Sequence, residues 1–217
     1  MNAPLMPAVA PVRMSMETSV ITHSGRVVGL LTPRPEAIEL ADIARSLSRL
    51  PRFNGHLRGK HAYSVAEHSL TVARLLPPGA SDRLRLAALL HDAHEAYVGD
   101  ISRPMRRAIR LVCGADVDAI EQWIVQPIQA AIHERFGLPS VLPPEWSEAI
   151  ALADDQALRA EAEAFLARPV MPEAWSWVER LPGLERWQDG ARLPCNPDVA
   201  MALFLRTVRI CTGEDRP

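Results

Sequence analysis

From residue 38 to near the C-terminus, the chain is a series of apolar stretches at helical spacing, each cut off by proline or glycine. The stretch from Ile38 to Leu50 stops before Pro51. Tyr63 to Leu76 sets Val65, Leu70, Val72, Ala73 and Leu76 between polar residues and ends at Pro77-Pro78-Gly79. Ser81-Asp82 offers a cap for a helix that runs through Leu84, Leu86, Leu89 and Leu90 toward Val98 and stops at Gly99. A loop carrying Pro104 follows. Asp116 to Phe136 reads as one long helix in which Pro127 predicts a kink or break. Glu145 to Leu166 is an alanine-rich helix, and Asp198 to Ile210 a last apolar one after Pro197. Residues 168–197 hold many Pro, Trp and Gly and read as an irregular cover segment, with the tryptophans as packing rather than a base-stacking platform.

The expected class is therefore an all-α bundle, with one exception near its start. Two apolar runs flank Ser24-Gly25 between Ser19 and Leu31, which predicts a small N-terminal β-hairpin ended by Pro33 and Pro35. A lone hairpin is weak and needs helices to pack on. Residues 1–17, with Pro4, Pro7 and Pro11, read as a flexible leader, and residues 18–217 as a single domain with a C-terminal cover segment and helix.

With 217 residues, 48% of them hydrophobic, the chain can bury a substantial core. Its net charge of −2 gives no global basic field for long nucleic acid, so an anionic ligand must meet local cations. Those are almost all arginine, since Lys60 is the one lysine among 24 basic residues. Cys113, Cys195 and Cys211 are odd in number and widely spaced, which points to thiols in a reducing compartment. No stretch reads as a secretory signal or a membrane span, so a cytoplasmic protein without membrane attachment is expected.

Five of the seven histidines fall between His56 and His94. Within this run stands His91-Asp92 near the end of an apolar helix, preceded by His68 on the helix before it. Neutral imidazole with carboxylate suits a borderline or hard divalent ion. Adjacent helical residues point about 100° apart, so an ion shared by His91 and Asp92 must sit beside the helix and draw further ligands from its neighbours. His68 is placed for one. Another should be an acid embedded in a later apolar helix, and both Asp154 and Asp155 qualify, flanked by Ile150, Leu152 and Leu158.

The ordered set His68, His91-Asp92 and a distant Asp resembles the H…HD…D signature of HD-domain phosphohydrolases. The blocks Arg52-Phe53-Asn54-Gly55-His56, Tyr63-Ser64-Val65-Ala66-Glu67-His68-Ser69 and His91 to Ile101 are similar to bacterial 5′-deoxynucleotidases and phage dATP triphosphohydrolases of that superfamily. The resemblance covers roughly residues 19–166. It implies an HD-domain helical bundle in which His68, His91, Asp92 and Asp154 hold one divalent metal ion (Mn, Co, Zn, Fe or Mg). It favours Asp154 over Asp155 because such families place a Glu seven residues after the ligand, as Glu161 is here. Glu95 and Asp100 match residues that assist the attacking water or the leaving group. Arg52 matches a phosphate-contacting arginine, Phe53 an aromatic bordering the nucleoside, and Arg106 a position where relatives often carry lysine. His56, His61 and His94 receive no ligand role. Ala96 stands where alarmone hydrolases carry an acid, which counts against that substrate.

The expected activity is hydrolysis of a 5′-(deoxy)nucleoside monophosphate by metal-activated water. A dNTP triphosphohydrolase is the alternative among enzymes, and a non-catalytic nucleotide-binding regulator the alternative outside them. The expected partner is a small nucleotide, and related enzymes often form homo-oligomers.

Overall fold

The computed structural model describes residues 15–113, 120–184 and 194–214. All but the last three residues of the expected leader lie outside this range, and Ser15 already caps a short turn at Met16–Thr18. The hairpin is present: β1 (Ser19–Ile21) pairs antiparallel with β2 (Val27–Gly29), Val20 opposite Val28. Gly25 takes the left-handed conformation that its turn requires, with φ of 81°. The hairpin is not left to stand alone. Val28 is fully buried against the helices, and Asp42 accepts hydrogen bonds from Ser24 N and Ser24 Oγ at 2.9 and 2.6 Å.

The remaining described elements are helical: α1 (Leu40–Leu47), α2 (Val65–Leu75), α3 (Asp82–Leu89), α4 (Glu95–Val98) and α5 (Arg103–Cys113). They continue as α6 (Gln126–Arg135), α7 (Pro144–Phe165), α8 (Ser176–Glu179) and α9 (Pro197–Thr212). The buried helix α2 is central, with α7 on one side and α3 on the other, while α9 packs across α1, α2 and α3. Leu47, Val65, Ala66, Leu89, Leu90, Phe204 and Val208 are among the fully buried residues that join them. Among the described residues, no helix is long and apolar enough to cross a membrane.

Two expectations need correction, and a third takes a particular form. The helix expected to run unbroken to Val98 ends at Leu89 and resumes at Glu95. Between them the backbone follows turns closed by bonds such as Ala93 N to Leu90 O and Glu95 N to Asp92 O, each spanning three residues. Periodicity missed this because Leu89, Leu90 and Ala93 stay fully buried throughout. The loop expected around Pro104 is helix α5, since proline in a first helical turn removes no intrahelical bond. The kink or break expected at Pro127 takes the form of a change in winding just ahead of it, and the α-helix resumes at Gln126 with the proline in its first turn. The five residues Glu121–Val125 before α6 are wound as a π-helix, with Gln126 N bonded to Glu121 O, and this wider turn makes room for the ring. Residues 116–119 of that expected helix lie outside the described range.

The cover segment, where described, is a short turn Pro172–Trp175 followed by α8. Trp175 and Val178 are buried against Ala162 of α7, with Phe53 and Trp177 packed around them.

Candidate metal centre and active site

The first turn of α2, the turns after α3 and the middle of α7 bring four side chains together. Ser64 caps α2 through a reciprocal box: Glu67 N donates to Ser64 Oγ, and Ser64 N donates to Glu67 Oε2 at 2.9 Å. That box sets the start of the helix and so the direction of the next residue, His68. His68 Nε2 lies 3.1 Å from Asp154 Oδ1 and 3.6 Å from Asp92 Oδ2. His91 Nε2 lies 3.2 Å from the same Asp92 oxygen. The donor atoms of His68, His91 and Asp154 fall within 4.8 Å of one another. Arg103 reaches both acids of this helix, Asp155 at 2.9 Å and Asp154 Oδ2 at 3.5 Å, but it is Asp154 whose other oxygen faces the histidines.

Each histidine has its outer nitrogen occupied. His68 Nδ1 donates to Glu161 Oε1 at 2.7 Å, and His91 Nδ1 donates to Ala88 O at 2.8 Å. These bonds leave a lone pair on each Nε2, aimed at the carboxylates. Both Nε2 atoms are buried and lack a hydrogen-bond partner despite the close oxygens. Lone pairs facing carboxylate oxygens at such distances repel unless a proton or cation lies between them. Two imidazoles and two carboxylates are also a donor set that borderline divalent ions accept, so the residues fit a metal.

Around this cluster sit the other expected residues. Arg52, largely buried, directs Nε and Nη2 to Glu161 Oε2 at 3.4 and 3.3 Å. Glu161 is fully buried and so ties the guanidinium to His68. The sequence marked Glu161 only by its spacing, and its role as the residue joining His68 to Arg52 emerges from the fold. Phe53 takes an uncommon left-handed conformation, φ 52°, which turns its ring toward the Trp175 cluster while Arg52 lies 5.7 Å from the ring centre. Glu95 is buried at the start of α4, with Oε2 lacking any partner. Asp100, half-buried, follows the Gly99 that ends α4. Arg106 is not drawn into the cluster: it is exposed on α5 and bonded to Ile101 O and Glu121. His94, given no role by sequence, is buried beside Asp92 and Glu95.

The family model for the HD domain matches residues 58–154, from just ahead of His68 to Asp154 itself. An uncharacterized protein of Rhodobacter capsulatus is 46% identical over 143 residues, covering 64% of this chain and 69% of that protein. The uncharacterized protein YfdR of Escherichia coli is 33% identical over 171 residues, covering 77% of this chain and 81% of that one. The chain belongs to the HD-domain family. That membership, with the donor cluster, gives the coarse activity of a metal-dependent phosphohydrolase.

The electrostatics of this HD domain follow from crowding carboxylates in a buried place. Burial opposes a charge on His91, but Asp92 and Asp154 outweigh it and push the imidazole up to about 9. Burial, with Asp92 and Asp100 nearby, pushes Glu95 up to about 9 as well. Asp154 resists burial through its contact with His68 and the charge of His91, and is held down to about 2. Burial disfavours the Arg52 cation, yet Glu161, Asp92 and Asp154 hold it more firmly protonated than usual. Without a metal, protons supply positive charge and remove negative charge at the centre, which is what a divalent ion would do with one atom.

Proposed function

We propose that this HD domain hydrolyses the 5′-phosphate ester of a (deoxy)nucleoside monophosphate to the nucleoside and orthophosphate. One observation carries the choice of a monophosphate: among the described residues, Arg52 is the buried cation beside the metal donors. The other arginines close by are exposed and already paired: Arg103 with Asp155 at 2.9 Å and, more loosely, with Asp154 at 3.5 Å, and Arg106 with Glu121. A single buried guanidinium suits one phosphoryl group, and its fork matches two phosphate oxygens.

In this reading His68, His91, Asp92 and Asp154 hold one divalent ion. Such an ion supplies a Lewis acid for the phosphoryl oxygen and brings the pKa of water toward neutrality. Glu161 fixes the His68 tautomer and steadies Arg52. Arg52 orients the phosphate, and Phe53, backed by the Trp175 cluster, borders the nucleoside. Glu95 accepts a proton from the attacking water, whose oxygen bonds to phosphorus as the ester P–O bond breaks. The proton passes to the departing 5′-oxygen, with Asp100, half-buried just after α4, as its relay in this reading.

The test is product analysis on metal-stripped protein given Mn²⁺, Co²⁺, Zn²⁺ or Mg²⁺ and a panel of dNMPs and dNTPs. Orthophosphate from monophosphates is the expected result. Intact triphosphate from dNTPs would move the protein to the triphosphohydrolases, with Arg103 and Arg106 released to the longer phosphate chain. Binding with no product under any metal would make it a nucleotide-binding regulator.

A further inference from the structure

We propose a second divalent-cation site, formed by Asp92, His94 and Glu95, which shares Asp92 with the first. This extends the metal centre described above and rests on it.

The three donor atoms all lie within 4.8 Å of one another, as those of His68, His91 and Asp154 also do. The backbone explains how they meet. From Leu90 to Tyr97 the chain runs through consecutive turns, Ala93 N to Leu90 O, Glu95 N to Asp92 O, Ala96 N to Ala93 O and Tyr97 N to His94 O. In such tight winding, residues three apart eclipse one another, so Asp92 and Glu95 stand on one edge. A regular α-helix would have offset them. The interruption of the helix at the HD pair therefore does more than aim His91 and Asp92 at the first centre.

His94 is prepared as a ligand in the way His68 and His91 are. Its Nδ1 donates to Gln129 Oε1 at 3.1 Å, and its backbone N donates to the same oxygen at 3.3 Å. Gln129 cannot flip without loss, because its amide nitrogen donates to Leu90 O at 2.7 Å and to His133 Nε2 at 2.8 Å. The amide oxygen is thus committed to His94 Nδ1, and the lone pair of the ring is left on Nε2. A buried carboxyl and a half-buried one complete the set. Glu95 is 6% exposed, and its Oε2 has no hydrogen-bond partner. Asp92 turns Oδ2 toward His68 and His91, and a carboxylate with one oxygen so engaged has another to bridge with. One imidazole and two carboxylates suit Mn²⁺, Co²⁺, Fe²⁺ or Zn²⁺. A pair of ions bridged by Asp92 would grip the phosphoryl group from two sides, with Glu95 using one oxygen as ligand and the other for proton transfer.

The experiment uses metal-stripped full-length protein and MnCl₂ alone, with bound manganese counted by equilibrium dialysis and its coupling read by electron paramagnetic resonance. Two ions per chain with a spin-coupled spectrum are expected. His94→Ala should bind one ion with an uncoupled spectrum, and Glu95→Gln, which keeps the side-chain shape, should do the same even if His94→Ala folds poorly. One ion per chain in the unaltered protein, or two in the Glu95→Gln variant, would overturn the second site while leaving the hydrolase reading intact. Two coupled ions with no phosphate released from any nucleotide would keep the second site and remove the hydrolase. No bound manganese at all would overturn both.

Discussion

Glu161 and His68, both fully buried and carried on different helices, share a hydrogen bond of 2.7 Å, and the other oxygen of Glu161 holds Arg52. One carboxylate thereby fixes both the His68 tautomer and the position of the Arg52 guanidinium, the two groups to which the proposed function gives the metal and the phosphate. Glu161→Gln should weaken manganese binding by about 10–100-fold, the usual cost of losing such an orienting partner. It should also raise KM, since Arg52 loses its counter-charge. Isothermal titration with MnCl₂ and steady-state kinetics check both, and unchanged metal affinity would show that His68 needs no such partner.

The two acids on α7 should part company. Asp154→Asn is expected to abolish metal-dependent turnover, because Asp154 faces His68 at 3.1 Å. Asp155→Asn is expected to leave turnover near that of the unaltered protein, since Asp155 is engaged by the exposed Arg103. Comparing kcat/KM for the two variants settles the pair, and the reverse ranking would place the ligand at Asp155.

Metal uptake should release protons. His91 and Glu95 are both pushed up to about 9, so near neutral pH the metal-free centre carries protons that a cation displaces. Manganese affinity is therefore expected to rise with pH toward about 9, with proton release measurable in a weakly buffered titration. The same shifts fix a sign for stability. Groups raised in the folded state bind more protons folded than unfolded, so the metal-free protein should lose stability as pH rises from about 6.5 to about 9. Thermal unfolding in EDTA should show a falling Tm across that window, and added MnCl₂ should restore it. A Tm that rises there without metal would contradict the assigned protonation.

The hairpin offers a test far from the chemistry. Ser24 N and Oγ both donate to Asp42, and bonds to a charged acceptor contribute about 1.5–3 kcal/mol. Burial opposes the Asp42 charge, but the Ser24 bonds hold its carboxyl below the usual value of 3.8. Its contribution is present above that value and fades as pH falls through the lower folded one. Ser24→Ala should lower Tm at neutral pH and lose that effect in acid, while kcat stays unchanged. A Tm difference of the same size at both pH values would mean that Asp42 acts by packing alone.

Much of this architecture could be read from residue order. The helical stretches around Val65, Leu86 and Phe204 are one-faced or wholly apolar, and the prolines and glycines at their ends mark the stops, so the helices and the hairpin turn at Ser24-Gly25 were legible. The gathering of His68, His91 and Asp92 with an acid at 154 or 155 was legible because each is a polar residue set in an apolar run, and the preference for Asp154 came from the family resemblance. Other features left no such trace. The break after Leu89 has the composition of a continuous helix, because the fold buries all sides of that segment. Helix α5 carries a proline that reads as loop unless it falls in a first turn, and the π-helix ahead of Pro127 has no residue signature. The preparation of His94 depends on Gln129, which is 35 residues away in the chain and meets it only after folding.

Glu67 uses its second oxygen to accept the backbone N–H of Cys195 at 3.0 Å, just before α9 begins. The box that starts the His68 helix is therefore finished by a residue 128 positions downstream. The segment matched by the family model ends at Asp154, short of Glu161, Cys195 and α9, and begins after Arg52. A fragment trimmed to residues 58–154 would retain His68, His91, Asp92 and Asp154 yet lack Glu161, which holds His68, and Cys195, which completes the box before it. The stretch that the family model recognises is thus shorter than the set of contacts that holds the His68 helix in place, and excision along its edges would sever the bonds from Glu161 and Cys195.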